Sequence, residues 1–472
     1  MKKTSILLLV SFLVLSGCAD RKNSTDDSRL ANSTRTEKNG WILIHIEGSP
    51  RDMGYQHGYL LAPEILDLKG ALDANYKVTT GRDWNFYRNE SYRLFWSKIP
   101  DEYRKEMQGI TDGVNAKTGP GNIDLKDVIA MNAFLETTGY YVPWLNNQVN
   151  NKPPEHCSAI AATGSWTTDG KIVIAHNNWS EYVIGERWNI IIDLVPEKGN
   201  RIVMDALPGF LHSGDDFNIN SAGLVVTETT ISGFNGFDTT GTAEFVRARK
   251  AVQYASTIDE WIKIMMEGNN GGYANDWLIG DNKTGEIARL ELGLKNQFIE
   301  KSKDGYFFGS NFPVHEKLTK EETSFDPNSA DESANMRRLR WEQLMNEYKG
   351  KIDVGSAKAF MGDHFDMRRK EVFAGRFSLC GHIDEDSIGR PGIDWPSAYF
   401  AAGAVTGKAT DGNLASKLQL WAVAGHPCGK PFVAKDFLSS HPEYNFQKDY
   451  LRDMPSQKWF LTEPVTPSKT KD

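Results

Sequence analysis

The sequence predicts an α+β protein, with a mostly helical front section followed by a layered body of strands, then helices, then strands again. Two observations carry this. Up to residue 142 the apolar residues recur at helical spacing, in segments 60–77, 84–117 and 123–142, with turns at Thr79-Thr80-Gly81 and Gly119-Pro120-Gly121. From Cys157 onward, short apolar runs flank turns rich in Gly, Asn and Asp, which is the pattern of hairpins. No internal repeat is present and no long linker follows residue 40, so a single body is expected from 41 onward.

The first residues read as a leader. Lys2-Lys3 precede the apolar run Ile6 to Leu15, too short to span a bilayer and shaped like a signal peptide. It ends in Leu15-Ser16-Gly17-Cys18, which resembles the lipobox of bacterial lipoproteins, so residues 1–18 are expected to be a lipoprotein signal and Cys18 the lipidated residue. Residues 19–40 are rich in Ser, Thr, Asn, Asp and Lys and are expected to form a flexible tether. The protein is therefore expected to be exported and lipid-anchored, on the periplasmic or cell-surface face of a bacterial membrane. The net charge of -8, with no basic block, excludes a nucleic-acid partner.

Residues 41–156 form the helical front segment. It opens with a strand at Trp41–Ile46, then the motif GSPRDMGYQHG at 48–58, where Gly54 and Gly58 share a helical face that another backbone can approach. Residues 144–156, with Pro143 before them and Pro153 and Pro154 within, read as a loop. Residues 157–472 form the second segment, opening with a hairpin from Cys157 to Thr163 and Lys171 to Ala175 around an Asp169-Gly170 turn. Further strand pairs are expected at 188–195 with 201–206, 217–219 with 224–230, and 276–279 with 287–292. Single strands are expected at 306–309, 398–402 and 418–424, and helices at 243–255, 257–267, from about 332 to 348, and from Gly355.

Apart from Cys18, three cysteines remain, Cys157, Cys380 and Cys428, and an odd number leaves one thiol unpaired. Cys380 and Cys428 could bridge each other. Alternatively, Cys380-Gly-His382 and His426-Pro-Cys428 offer two sulfurs and two nitrogens to a zinc ion, but at spacings foreign to common structural zinc sites, so no metal and no cofactor is expected. The hairpin brings Cys157 to one edge with His176-Asn177-Asn178, as an N-terminal-nucleophile (Ntn) hydrolase requires. In that chemistry the chain is cut before the cysteine, its thiol attacks, and the freed α-amine, with a pKa near neutrality, acts as base.

Six stretches in order strengthen this: Cys157-Ser158-Ala159, Ala175 to Trp179, SGDDF at 213–217, SAGLVVTETT at 221–230, GYANDW at 272–277 and GAVTGKAT at 403–410. Together they resemble the phospholipase B-like family of Ntn hydrolases and, more distantly, acyl-CoA:isopenicillin N acyltransferases and choloylglycine hydrolases, over about residues 41–432. The motif at 48–58 resembles the acyltransferase branch. The resemblance implies a four-layer αββα fold and self-cleavage between His156 and Cys157. It further implies that Cys157 is the nucleophile, that His176 favours its thiolate as an imidazolium, and that Thr230, Asn275 and Asn311 donate to the oxyanion. Asn275 and Asn311 equally read as residues closing turns. Trp179 stands where the bile-salt branch has Asp, which favours the phospholipase B-like side.

The expected activity is thus hydrolysis of an acyl amide or ester, in a lipid-like or N-acylated small molecule, through an acyl-thioester, with the two self-cleavage fragments staying associated. The alternatives are an acyltransferase using the same thioester and a surface binding lipoprotein without catalysis.

Overall fold

A computed structural model describes residues 27–146, 157–215, 217–388 and 398–465. Cys18 with its leader and His156 lie outside the described residues. The chain is a mixed α/β structure with two large sheets and one small one. The front section supplies β1 (Thr34–Lys38) and β2 (Trp41–Gly48). The body opens with β3 (Ser158–Gly164) and β4 (Gly170–Glu181), followed by β5 (Ile190–Pro196), β6 (Ile202–Ala206), β7 (Asn218–Asn220) and β8 (Leu224–Thr230). After two helices come β9 (Asn275–Asp281), β10 (Glu286–Leu292), β11 (Gln297–Ser302) and β12 (Gly305–Gly309). The last strands are the short pair β13 (Phe365–Asp366) and β14 (Glu371–Val372), then β15 (Ala402–Asp411), β16 (Trp421–Ala424) and β17 (Phe460–Leu461).

One sheet runs β1-β2-β5-β6-β7-β8-β9-β10-β11 and the other β12-β3-β4-β15-β16-β17. Neighbours are antiparallel except β2 and β5, a parallel pair that sews the front section into the larger sheet. The two sheets share a core in which Ala159, Ala161, Ile172 and Ile174 of one meet Val203, Ile219, Val225 and Leu278 of the other. Their opposite faces are also buried. Ile160, Val173 and Ala175 pack with Trp341 and Phe360 from the helices Ser333–Tyr348 and Val354–Met361. Val226, Ile279 and Leu290 pack with Ala251 and Trp261 from Glu244–Tyr254 and Ile258–Met266. Covering both faces explains why these strands read as near-continuous apolar runs.

The glycine face of the front motif meets a second one. The helix Pro50–Leu60, capped by Ser49, crosses Asp101–Thr118 so closely that a Cβ on Gly54 or Gly58 would sit 2.0 or 2.1 Å from the carbonyl oxygens of Glu106 and Ile110. Gly109 and Gly113 reciprocate from the other helix.

The structure departs from expectation in four places. The tether expected over 19–40 meets the body by Asp27, whose carboxylate accepts from Tyr55, and residues 34–38 form β1, because main-chain bonds to β2 need no apolar side chains. Strand β4 does not stop at Ala175 but continues to Glu181, held by β3 on one side and β15 on the other. The strand expected at 398–402 begins only at Ala402 and is the GAVTGKAT run itself. The strand β11, with exposed polar side chains at a sheet edge, carries no apolar alternation to betray it.

Candidate active site

Strand period decides which side chains of the hairpin can meet. On β4, Ile172 and Ile174 point between the sheets, so His176 and Asn178 follow them inward, while Asn177 and Trp179 turn to the other face. There, Asn177 Nδ2 and Trp179 Nε1 both donate to the Leu379 carbonyl, at 2.7 and 3.1 Å. Cys157, immediately before β3, is fully buried and has a φ of +83°. That left-handed backbone costs an L-residue about 1–2 kcal/mol, and strain of this kind gathers at functional sites. Two bonds hold it: Arg337 Nη1 donates to the Cys157 carbonyl at 2.6 Å, and the Ser158 N–H donates to Asn177 Oδ1 at 2.9 Å.

The thiol lies 3.8 Å from Asn178 Oδ1 and 3.9 Å from Glu228 Oε1, and a His176 ring nitrogen is within 4.8 Å. Glu228 is clamped, accepting from the Tyr273 hydroxyl at 3.0 Å and, with the amide turned to face it, from Asn275 Nδ2 at 3.0 Å. Asn311 donates to the Thr230 carbonyl at 2.8 Å and accepts from Arg337 at 2.9 Å. The structure thus gathers Cys157, His176, Thr230, Asn275 and Asn311 into one connected buried network. Burial, reinforced by the carboxylates of Glu228 and Asp215, pushes the Cys157 thiol well up, so it is uncharged in the uncut chain.

Two expected roles change with the geometry. His176 is no imidazolium: burial, followed by the Lys408 cation opposite it on β15, brings its pKa down to about 3. Lys408 is itself neutralised in the core. It sits 2.8 Å from Asp205 and also contacts Asp215, with Thr406 Oγ1 at 3.0 Å. Burial pushes Asp205 up, whereas Asp215, despite its burial, is held down by the Lys408 cation. The second change concerns Asn311, whose amide nitrogen is committed to Thr230. By contrast, Asn178 Nδ2 and Thr230 Oγ1, both buried, have no hydrogen-bond partner among the described residues. Both residues line a cleft, so these two donors are open to a group bound there.

The cleft is narrow, with a cavity volume of about 60 Å³, and opens beside this network. Its walls are Tyr76, Phe134, Leu135, Tyr140, Ile184 and Trp188, from the front helices and the β4–β5 connection, and its inner end is Asn178, Thr230 and Tyr273. Aromatic and aliphatic walls interrupted by Thr138, Ser180 and Glu181, with polar groups at the inner end, have the form of a small-molecule site. Among the described residues, two side-chain groups have donor atoms close enough to share a metal: Cys157, His176 and Glu228 here, and His364, Cys380, His382 and Cys428 elsewhere.

The sequence places Asn178 at the thiol's edge without a role, and it does not single out Glu228, Tyr273 or Arg337. Glu228 left one signal, a charge in the middle of the strand Leu-Val-Val-Thr-Glu-Thr-Thr whose every residue is buried. Tyr273 and Arg337 left none, since only the fold brings them to Cys157.

Residues 72–294 match the Phospholipase B family, a span holding Cys157, His176, Asn178, Glu228, Thr230 and Asn275 but not Asn311 or Arg337. An uncharacterized protein of Archaeoglobus fulgidus is 26% identical over 271 residues, covering 52% of this chain and 42% of that protein. Phospholipase B-like protein C of Dictyostelium discoideum is 25% identical over 366 residues, covering 64% of each chain. Phospholipase B-like 1 of Bos taurus is 28% identical over 344 residues, covering 61% of this chain and 62% of its own. The chain therefore spans less than two thirds of each of these relatives.

Proposed function

We propose that this chain, which matches the Phospholipase B family over residues 72–294, is a phospholipase B-like, self-processing cysteine hydrolase of the Ntn type that cleaves an acyl ester or amide of a lipid-like or N-acylated substrate. The observation that carries this reading is the strained, buried Cys157, its thiol flanked by Asn178 and Glu228, beside a cleft that Asn178 and Thr230 line. A four-layer αββα arrangement is supported by two sheets that share one core while their outer faces carry helices.

In processing, Cys157 Sγ adds to the carbonyl carbon of His156, and its proton passes to Glu228. Collapse breaks the His156–Cys157 C–N bond, the proton goes to the departing amine, and water then hydrolyses the thioester. The new α-amine of Cys157 is the base for turnover, in which the thiolate takes the substrate acyl group and water releases it. Asn178 Nδ2 and Thr230 Oγ1 are donors to the oxyanion. Asn275 and Tyr273 orient Glu228, and His176 acts as a neutral side chain fixing the pocket. The pairing of β2 with β5 supports continued association of the two fragments. For location, we carry forward the Leu-Ser-Gly-Cys18 sequence as a lipid anchor; among the described residues no helix is long and apolar enough to cross a membrane.

The test combines intact mass with turnover of a panel of fluorogenic acyl esters and amides. The wild type should appear as two fragments meeting at Cys157 and release free acid, while Cys157→Ala stays whole and inactive. Transfer of the acyl group to an added amine in preference to water would shift the reading to the acyltransferase. A wild-type chain that remains uncut and turns over no substrate would leave the non-catalytic binding lipoprotein.

A further inference from the structure

The group His364, Cys380, His382 and Cys428 lies on the far side of Trp179 from the thiol network and plays no part in the chemistry above. Its members come from three separate segments: His364 follows the helix Val354–Met361, Cys380 and His382 share the next loop, and Cys428 follows β16. Each contributes one ligand atom, and all four atoms lie within 4.8 Å of one another. His382 Nε2 stands 3.6 Å from Cys380 Sγ and 3.5 Å from Cys428 Sγ. Zinc binds thiolate sulfur at about 2.3 Å and imidazole nitrogen at about 2.0–2.1 Å, so a tetrahedral site has sulfur–nitrogen edges of about 3.5 Å. Both measured edges have that length.

Three further features fit a metal better than a disulfide. Both thiols are free, and two imidazoles converge on them, which a sulfur–sulfur bond does not need. His364 Nε2 is buried with no hydrogen-bond partner among the described residues. The Lys430 N–H donates to Cys428 Sγ at 3.4 Å, the kind of outer contact that steadies a ligating thiolate. His426, which the sequence offered as the fourth ligand, packs its ring 4.1 Å from that of His382 but is not among the four residues whose ligand atoms converge within 4.8 Å. His364, distant in sequence, takes its place.

We propose that His364, Cys380, His382 and Cys428 form a tetrahedral zinc site. Binding releases the two thiol protons to solvent, and two thiolates neutralise the Zn²⁺ charge, which suits a buried position. Four protein ligands leave no open coordination position, so the role is structural. The ion clamps the 364–382 segment and the turn after β16 against the back of β4, to which Leu379 is already bonded through Asn177 and Trp179.

The test measures zinc by mass spectrometry on protein expressed with its full chain and dialysed against a weak chelator. About one zinc per chain is expected in the wild type and in Cys157→Ala, and a loss of at least tenfold in zinc affinity in Cys428→Ser and His364→Gln. Should those variants fail to fold, cobalt(II) exchanged into the wild type decides: tetrahedral visible bands with a thiolate-to-cobalt charge-transfer band are expected. An octahedral cobalt spectrum, or a Cys380–Cys428 disulfide in metal-free native protein, overturns the proposal. So does zinc that survives in Cys428→Ser but disappears in Cys157→Ala, which would place the ion at the thiol network.

Discussion

Replacing Asn178 or Asn311 by alanine should produce opposite phenotypes, and the size of each follows from its bonds. Asn178 accepts the thiol through Oδ1 at 3.8 Å, and its Nδ2 has no partner among the described residues. Its removal deletes an oxyanion donor, worth about 3–4 kcal/mol, or roughly a hundred- to a thousandfold in turnover. It also removes a buried unpaired donor, an arrangement that itself costs about 1–3 kcal/mol. Folding stability should therefore stay within about 1 kcal/mol of wild type once the small cavity is counted. Asn311 is bonded in the resting state, donating to Thr230 and accepting from the Arg337 guanidinium. Losing one neutral and one charged buried bond costs about 2–4.5 kcal/mol. Its φ of +72°, tolerated by Asn, adds about 1 kcal/mol for Ala. Asn311→Ala should be strongly destabilised, with a smaller loss of turnover in whatever fraction folds. The assay is urea unfolding together with kcat on an acyl ester, using only protein that intact mass shows to be cut before Cys157. Wild-type turnover in processed Asn178→Ala, or unchanged stability in Asn311→Ala, would refute the assignment of donors.

Other outcomes follow from single contacts. His176 is neutral in the fold, with its pKa near 3, whereas in the unfolded chain it titrates near 6.5, so the unfolded state binds the extra proton and stability falls as pH drops through 6.5. His176→Gln lacks this loss, so between pH 7 and pH 5 the variant should gain roughly 2 kcal/mol relative to wild type in denaturant unfolding; a native imidazolium would give the opposite slope. Gly113→Ala places a Cβ 2.2 Å from the Tyr55 carbonyl oxygen and should lower stability by about 2 kcal/mol by overpacking, while Gly139→Ala, with nothing within 4 Å, should not. Lys408→Met strips the cation from Asp205 and Asp215 and should cost about 3–5 kcal/mol, largely recovered when both carboxylates are also replaced by Asn.

Local pattern made much of this protein legible in the sequence. The hairpin around Asp169-Gly170 follows from turn chemistry and β-branched runs, and the glycine face at 54 and 58 from the absence of side chains where two helix backbones must touch. Cys157 stood out because it opened that hairpin. Roles were harder to read than positions. Nothing local says that Lys408 lies across from His176, yet that neighbour, with burial, decides the charge of the imidazole. Which of several Asn amides is free to donate depends on partners such as Thr230 and Arg337, brought in from other strands and helices. The zinc ligands divide the same way: three of the four were visible as Cys-x-His and the Cys of His-x-Cys, because short spacings are local. Only the tertiary fold replaced His426 by His364, since coordination is set by angles and distances in space, and chain order carries neither.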